Sequence, residues 1–362
     1  MERAFRELFE YLETQGYAWR ALNPERSKKL RGSAEIERQA GRPLPLIYQD
    51  PLTLFFGLGV GEGGPSGAAG PESFPAAFPI RLATEVLSAT RGLRPAVSRV
   101  RDRFVVHDHW DARDHADSGA RRDLVYLSEE TFALLDRVPD CTGLRVLDLG
   151  SGAGALSLAL SATAREVVGL ELSARAVEWA RASAAAQGIL NVRFECVRIP
   201  DAIPEKSSSM VADPRVGSSV RPSVRPSVLS PGGAFDLVVF NPPMAIPDSS
   251  SSYPHPRPHR DGGALGCELP ALFLDYAWTH LRTGGEACFL ATSPVIGGHS
   301  IFHERISRDR RWRASDAAPA GSAVSRGERL NSHFNQSIAR KAGYAELGIE
   351  RVELWCFKLR KI

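Results

Sequence analysis

The sequence predicts an α/β protein, built on a mostly parallel sheet with helices on both faces and preceded by a smaller, mainly helical domain. Three observations predict it. From residue 120 onward, strand-like apolar runs alternate with helix-like runs. One run, Val146–Leu149, leads straight into a turn with three glycines, and two others end at polar residues, Glu171 and Asn241. Repeated strand–helix units imply parallel strands, and a ligand then lies beyond their carboxyl ends.

Length and composition fit a globular protein of two domains. The chain has 362 residues, of which 43% are hydrophobic and 24% charged. A formal charge of +3 does not by itself indicate nucleic acid, which stays possible as a partner. The five scattered cysteines form no zinc or disulfide pattern and favour a reducing, cytoplasmic location. The amphipathic segment Met1–Tyr17 lacks the apolar centre of a signal peptide, and no apolar run is long enough to involve a membrane.

Residues 1–118 are predicted to form an N-terminal accessory domain that recognises the substrate or covers the site. Helices are expected at 2–15, 24–40 and 81–90, a strand at 103–107 and a loop at 57–79. Glycines at 59–64 imitate a phosphate-binding pattern, but the prolines and glycines that follow prevent the helix that such a site needs. The segment 107–115 is rich in His and Asp. Because no partner cluster accompanies it, no metal site is predicted.

Residues 119–362 are predicted to form the second domain. Strands are expected at 144–149, 166–171, 191–197, 235–240, 285–291 and near 350–359, and helices at 128–137, 155–164, 173–187 and 268–281. Residues 205–233 contain a repeated Val-Arg-Pro-Ser sequence that cannot bury a core, so they are predicted to be a flexible insertion.

The glycine turn at 150–154 is the most informative stretch of the chain. Glycines let the backbone turn tightly and let a ligand approach where a Cβ atom would exclude it. The next predicted strand ends at Glu171, and a carboxylate there suits the two hydroxyls of a ribose. Strand, turn, helix, strand and acid come in the order that a nucleoside cofactor requires, which is far more specific than a lone glycine pattern.

A second motif begins where the strand Phe235–Phe240 ends, at Asn241, Pro242 and Pro243. The prolines fix the backbone and carry no N–H donor. The Asn241 side-chain oxygen and the Pro242 carbonyl are therefore acceptors in a rigid turn, and they can bind an amino group and aim its lone pair. The alternative is that Asn241 only caps its own turn.

Together, Asp148–Gly154 and Asn241–Met244 resemble class I S-adenosylmethionine-dependent methyltransferases with an Asn-Pro-Pro-aromatic motif. That group includes the release-factor glutamine methyltransferases and the ribosomal RNA guanine and DNA adenine amino-methyltransferases. The resemblance covers about residues 120–362 and is more specific for the cofactor than for the substrate. It implies a Rossmann-like sheet of seven mostly parallel strands, S-adenosylmethionine as cofactor, and an N-terminal accessory domain.

The resemblance also implies roles for individual residues. The glycines of the turn would pack against the methionine part of the cofactor, Glu171 would hold the ribose, and Leu172 would flank the adenine. The cofactor-binding set is Asp148, Gly150, Ser151, Gly152, Gly154, Glu171, Leu172, Asp201 and Asn241. Asn241, Pro242 and Tyr276 would be catalytic, and Met244 and Tyr253 would contact the acceptor. Aligned reactants and a good leaving group can supply much of the rate, so neither a strong base nor a metal is implied.

Two positions depart from the family pattern. Met244 stands where the family has an aromatic ring that stacks on a flat amide or base, so stacking would have to come from Tyr253 or Tyr276. Arg198 stands where an acidic residue usually contacts the adenine amino group, so Asp201 or backbone groups would replace it.

The segment 261–269 is similar to the family's glycine-containing turn before the next helix. Arg260 and Asp261, at its start, could reach the acceptor, although a loop that only starts a helix is an equal alternative.

Three functional hypotheses follow. The first is transfer of a methyl group to a nitrogen of a protein side chain, an RNA base or a small amine. The second is a small-molecule enzyme of secondary metabolism, including cyclisation of S-adenosylmethionine to azetidine-2-carboxylate with release of methylthioadenosine. Met244 favours this second hypothesis, because an aliphatic acceptor needs no stacking partner. The third is a subunit that binds the cofactor without catalysis.

Overall fold

The computed structural model describes residues 1–17, 56, 70–71, 74–93, 95–108, 124–128, 130–199, 235–246, 261–315, 326–331 and 344–362. The predicted helix at 24–40, the glycine pattern at 59–64 and the insertion at 205–233 lie outside these residues.

The helices and strands of the described residues follow the predicted alternation. The helices are α1 Glu2–Thr14, α2 Ile80–Ala89, α3 Glu130–Leu135, α4 Ala155–Leu160, α5 Ala174–Ala186, α6 Glu268–His280 and α7 Ile301–Arg308. The strands are β1 Ala96–Val100, β2 Arg103–His107, β3 Arg145–Leu149, β4 Glu166–Glu171, β5 Val192–Cys196, β6 Phe235–Phe240, β7 Leu281–Ile296, β8 His299–Ser300, β9 Trp312–Ala314, β10 Gly327–Asn331 and β11 Ile349–Lys361.

The main sheet has the strand order β10-β11-β7-β6-β3-β4-β5. β3 pairs in parallel with both β4 and β6, and β6 pairs in parallel with β7, whereas β11 runs antiparallel to β7. The chain therefore leaves β3 on one side to form β4 and β5, and later returns to its other side with β6. Such a reversal of strand order is where open α/β sheets bind ligands. The predicted Rossmann-like, mostly parallel sheet of seven strands is confirmed.

Apolar side chains of the parallel strands and of α6 form the core around β6. The side chains of β6 are buried almost throughout, as expected for a parallel strand covered on both faces. The Phe240 ring stacks on the Phe289 ring with centroids 4.2 Å apart, and the Phe289 ring stacks on the Phe357 ring at 5.2 Å. Phe273 of α6 packs edge-on against Phe240. This aromatic column anchors the strand that ends at Asn241.

Two compact units divide the chain. One unit contains residues 1–135, 152–162 and 173–194, and the other contains residues 136–151, 163–172 and 195–362. The predicted division between residues 118 and 119 stays a prediction.

The first unit is organised by the amphipathic helix α1. Its apolar side chains Phe5, Leu8, Phe9 and Leu12 are buried, as their spacing on one helix face predicts. The Phe9 ring stacks on Phe104 of β2 at 5.0 Å, and Phe5 meets Trp179 of α5 edge-on at 6.5 Å. β1, which was not predicted from the sequence, pairs antiparallel with β2.

A buried ion pair also belongs to the first unit. The Asp108 carboxylate accepts a hydrogen bond from Arg175 of α5 at 2.8 Å and another from the Val125 amide at 2.8 Å. Both ionic side chains are almost fully buried. His107 is also satisfied internally, since its Nε2 lies 2.8 Å from the Ser98 hydroxyl. The described part of the His- and Asp-rich segment thus has a structural role, and residues 109–115 lie outside the described residues.

Within the described part of the chain, no three His, Cys, Asp or Glu residues are grouped so that they could hold a metal ion. No helix there has the length and apolar character needed to cross a membrane.

β7 differs most from its predicted extent. It was expected at 285–291, but it runs from Leu281 to Ile296. Its pairing with β6 ends at Phe289, opposite Phe240, and beyond that point it continues in partnership with β11. We call residues 290–296 together with 349–356 the β7–β11 arm. The arm projects beyond the carboxyl edge of the parallel strands, where the predicted site lies.

Candidate functional site

Three of the predicted site residues lie at neighbouring strand ends. In the parallel register, Leu149 of β3 is opposite Leu170 of β4 and opposite Phe240 of β6. The residues that come next are Gly150, Glu171 and Asn241. Adjacent strands are about 4.8 Å apart, so these three positions form one row along the carboxyl edge.

The row begins with the first half of the glycine turn. Gly150 has φ +71°, and the Gly150 and Ser151 amides both donate to the Leu170 carbonyl, at 2.8 and 3.0 Å. A Cβ atom on Gly150 would lie 3.2 Å from the Phe273 ring, so the packing of α6 also favours glycine here. The Ser151 hydroxyl is buried and has no hydrogen-bond partner among the described residues. A buried hydroxyl of this kind suits a polar ligand group.

The second half of the turn is constrained by its own neighbours in the first unit. Gly152 has φ +52°, and a Cβ atom there would lie 3.1 Å from the carbonyl oxygen of Tyr126. Gly154 has φ +81° and precedes α4, and a Cβ atom there would lie 2.9 Å from the Phe194 ring. These glycines are therefore required by the protein's own packing. Tyr126 was not predicted from the sequence, because it lies 26 residues from Gly152 in the chain and only the fold brings the two together.

Glu171 and Leu172 lie at the end of β4, beside the glycine turn. The Glu171 backbone carbonyl accepts from the Val197 amide at 2.8 Å, which fixes the strand end while its carboxylate is only partly buried. Leu172 is 41% exposed, which is high for a large apolar side chain beside a buried sheet. Asp148 of β3, two residues before Gly150, is 1% exposed. A tight glycine turn, a buried hydroxyl, a carboxylate and an exposed apolar side chain fit the parts of S-adenosylmethionine.

The Asn-Pro-Pro-Met turn follows β6 directly. Asn241 is partly buried and Pro242 is buried. Met244 is 7% exposed, and its carbonyl oxygen accepts a hydrogen bond from the Thr292 hydroxyl at 3.0 Å. Two consecutive prolines leave this turn without backbone donors at positions 242 and 243.

A turn before α6 packs on this segment, as expected. Ala245 forms a bridge to Asp261, and the Gly262 amide donates to the Ala245 carbonyl at 2.9 Å. The Glu268 carboxylate accepts from the Leu265 amide at 3.0 Å and from the Cys267 amide at 3.1 Å, which satisfies donors at the start of α6. A contact between Asp261 and the acceptor stays a prediction, and Arg260 lies outside the described residues.

Of the remaining predicted residues, Tyr276 is described by the structure and does not lie in the row. Tyr276 lies in the second half of α6, is 2% exposed and stacks on His280 with ring centroids 4.0 Å apart. Burial raises the pKa of Tyr276 to about 12, so its hydroxyl stays protonated. This placement argues against the catalytic and stacking roles expected from the sequence, because helical phase turns the ring into the core. Asp201 and Tyr253 lie outside the described residues, and Arg198 is partly buried.

Comparison with known proteins finds similarity to methyltransferases. Residues 141–254 match a family model described as a methyltransferase domain. The chain is 38% identical to tRNA (uracil-5-)-methyltransferase homolog A of Mus musculus over 82 residues, which are 23% of this chain and 13% of that protein. It is 30% identical to a ubiquinone biosynthesis O-methyltransferase of Neisseria meningitidis over 105 residues, 29% of this chain and 40% of that protein. The chain thus spans well under half the length of either curated relative.

Among solved structures, the chain is similar to the T. thermophilus 16S rRNA N2 G1207 methyltransferase in complex with AdoMet and guanosine. The identity is 16% and the TM-score 0.38, over 74% of this chain and 50% of that one. The segment 141–254, which matches the methyltransferase family model, contains the glycine turn, Glu171 and the Asn-Pro-Pro-Met turn.

Proposed function

We propose that this protein is an S-adenosylmethionine-dependent methyltransferase that transfers the methyl group to a nitrogen acceptor held by Asn241 and Pro242. One observation carries the proposal: the glycine turn and the Asn-Pro-Pro-Met turn follow register-paired residues, Leu149 and Phe240, of adjacent parallel strands. A donor bound at one turn and an acceptor bound at the other would be neighbours at the switch point of the sheet.

On the donor side, each residue has a distinct task. The Glu171 carboxylate accepts hydrogen bonds from the two ribose hydroxyls, and Leu172 covers one face of the adenine. The Ser151 hydroxyl and the backbone at Gly150 and Gly152 hold the amino acid end. Buried Asp148 keeps the loop in place from below. The cofactor supplies a methyl group on a positively charged sulfur, which is a good leaving group.

On the acceptor side, the Asn241 side-chain oxygen and the Pro242 carbonyl accept hydrogen bonds from the acceptor's N–H groups. These bonds aim the nitrogen lone pair at the methyl carbon. With the cofactor bound, the nitrogen would form the new N–C bond while the C–S electron pair goes to sulfur, and the nitrogen would then give one proton to water. S-adenosylhomocysteine is the second product. Alignment of the reactants provides most of the acceleration in such a reaction.

The direct test is to identify the nucleoside product. The full-length protein is incubated with S-adenosylmethionine, alone and with cell RNA, cell protein or a set of small amines. RNA belongs in the set because one curated relative is named as a tRNA methyltransferase. S-adenosylhomocysteine that forms only with an acceptor supports the proposal, and a methylated nitrogen in the acceptor supports its finer part. Absence of this product with every acceptor would contradict it.

Met244 favours a second candidate. It carries no ring and is 7% exposed, so it offers no flat surface for stacking a base. An aliphatic acceptor, or the amine of the cofactor itself, needs no such surface. The same assay separates the candidates, because methylthioadenosine formed without an acceptor would indicate cyclisation. Cofactor binding without any product would indicate a non-catalytic subunit.

A further inference from the structure

Thr292 of the β7–β11 arm links the two turns on the acceptor side. Its hydroxyl lies 3.0 Å from the Met244 carbonyl oxygen and 3.0 Å from the Gly266 carbonyl oxygen. Both carbonyls are acceptors only, and the hydroxyl has one proton, so the two oxygens share it. Thr292 is fully buried, which makes loss of this donor costly to both carbonyls.

Glycines allow the two turns to touch. A Cβ atom on Gly262 would lie 2.6 Å from the Met244 Cα and 2.8 Å from the Pro243 carbonyl oxygen. A Cβ atom on Gly266 would lie 2.6 Å from the Met244 carbonyl oxygen. These distances are far below van der Waals contact, so the backbones themselves are in contact. Neither turn can shift without the other.

The position of Thr292 along β7 places its hydroxyl at the level of the acceptor turn. β7 pairs with β6 as far as Phe289, which is opposite Phe240, and Asn241 comes next. Thr292 lies beyond that point and pairs with Leu354 of β11. The arm therefore supplies a fixed support just past the end of β6, where that strand no longer pairs with β7.

We propose that Thr292 is a positioning residue for the acceptor site. By holding the Met244 and Gly266 carbonyls, it fixes the backbone that orients the Asn241 side chain and the Pro242 carbonyl. Its effect on turnover rests on the proposed function, whereas its hold on the two turns does not.

Two variants separate these effects. Thr292→Val keeps the branched shape and removes the proton, and Thr292→Ser keeps the hydroxyl. The first measurement is hydrogen exchange of the full-length protein at the Gly262, Gly266 and Leu269 amides. These amides donate to the Ala245, Gly263 and Gly262 carbonyls, within the turn before α6 and its contact with the acceptor turn. We expect faster exchange there in the Val variant, wild-type exchange in the Ser variant, and unchanged exchange in β3 and β4.

The second measurement is turnover with the acceptor fraction that gives product in the wild type. A small displacement of an aligned group lowers the rate roughly ten- to hundredfold, so the Val variant should lose that much in kcat. Its Kd for S-adenosylhomocysteine and its KM for S-adenosylmethionine should not change, and the Ser variant should restore kcat. Unchanged exchange, or loosened turns with unchanged kcat, would overturn the positioning role. If the wild type yields no product, the proposed function fails, and the exchange measurement alone decides whether Thr292 holds the turns.

Discussion

Glu171 is the residue that tests the cofactor assignment most directly. A hydrogen bond to an ionised group contributes about 1.5–3 kcal/mol, so Glu171→Gln should weaken S-adenosylhomocysteine binding roughly ten- to hundredfold. The fold should survive, because the Val197 amide donates a hydrogen bond to the Glu171 backbone carbonyl, and the substitution keeps that bond. Isothermal titration calorimetry measures the Kd.

The same charge change at the other end of β4 is the matched control. Glu166 pairs with Arg145 Nε at 2.8 Å, at the amino edge of the sheet and away from the proposed site. Glu166→Gln should change the melting temperature slightly and leave the Kd unchanged. Equal affinities in the wild type and the Glu171 variant would remove Glu171 from the cofactor site.

Asn241 tests the acceptor assignment. Asn241→Ala removes the side-chain oxygen that aims the acceptor, and misalignment alone can lower a rate about a hundredfold. We expect kcat to fall by that order while the Kd for S-adenosylhomocysteine changes little. Steady-state kinetics and calorimetry on the same preparation give both values, and an unchanged kcat is the result that contradicts the role.

For Tyr276, in contrast to Asn241, we expect a substitution to leave kcat unchanged. Its ring stacks on His280 in the core, and Phe preserves that stack. Burial holds the pKa of Tyr276 at about 12, so no proton leaves it near neutral pH. Tyr276→Phe should therefore keep the wild-type kcat, and a large loss would restore the catalytic role expected from the sequence.

The positions of some of the residues at the site were predictable from the sequence, and those of others were not. Gly150, Glu171 and Asn241 were predictable because each directly follows or ends a strand, and parallel strand ends meet at one edge. The role expected for Tyr276 stays a prediction, but the 2% exposure of this residue argues against it, and that burial depends on helical phase rather than on residue type. Thr292 left no signal, since its contacts to Met244 and Gly266 join segments far apart in the chain.

Among the elements, the local sequence pattern predicted the bounds of the parallel strands β4 and β6 but not the length of β7 in the arm. β4 and β6 have their predicted bounds, because each is an apolar run bordered by turn residues. β7 was predicted to end at 291. The strand continues to Ile296 because β11 pairs with it there, and such pairing is not visible in a local window.

A buried polar network stiffens the arm. Ser293 accepts hydrogen bonds from the Phe302 and His303 amides at the start of α7, and its hydroxyl lies 2.8 Å from the Ser300 hydroxyl. Ser300 donates in turn to Glu353 at 2.9 Å. The chain of bonds has one consistent direction and ends on a carboxylate, so the charge of Glu353 organises it.

Glu353 makes the stability of the arm depend on pH. Burial alone would raise the pKa of Glu353, but hydrogen bonds from Ser300, Trp355, Arg351 and Arg329 outweigh it and hold the pKa below the ordinary value of 4.5. The ionised form is therefore favoured in the folded state. The contribution of ionised Glu353 to the free energy of unfolding is therefore fully present above the ordinary pKa. It is lost as the pH falls through the lower pKa that Glu353 has in the folded state.

Glu353→Gln should accordingly destabilise the protein at pH 7 by about 1–3 kcal/mol, with a smaller difference in acid. Urea unfolding at both pH values measures this. Glu350→Gln, an exposed change on the same strand, is the control and should have a small effect at either pH. A constant difference between wild type and the Glu353 variant across pH would contradict the role of its charge.

At the scale of the whole molecule, the sequence predicted the class of sheet but not the grouping of elements. Alternating strands and helices are enough to imply a parallel sheet. The first compact unit, however, combines residues 1–135 with 152–162 and 173–194. That grouping depends on the fit between α1, β2 and α5, whose contacts span long stretches of chain.

Removing residues 1–118 tests whether the predicted domain boundary is also a folding boundary. The deletion takes Phe5 away from the buried Trp179 and takes Asp108 away from Arg175. Loss of one partner from a buried ion pair costs about 3–5 kcal/mol, in addition to the exposed apolar surface. We expect the shortened chain to bind a hydrophobic dye and to melt at a lower temperature without a sharp transition. Asp108→Asn in the full-length protein should reproduce part of the loss. A shortened chain that melts as sharply and as late as the full-length protein would show that residues 119–362 fold independently.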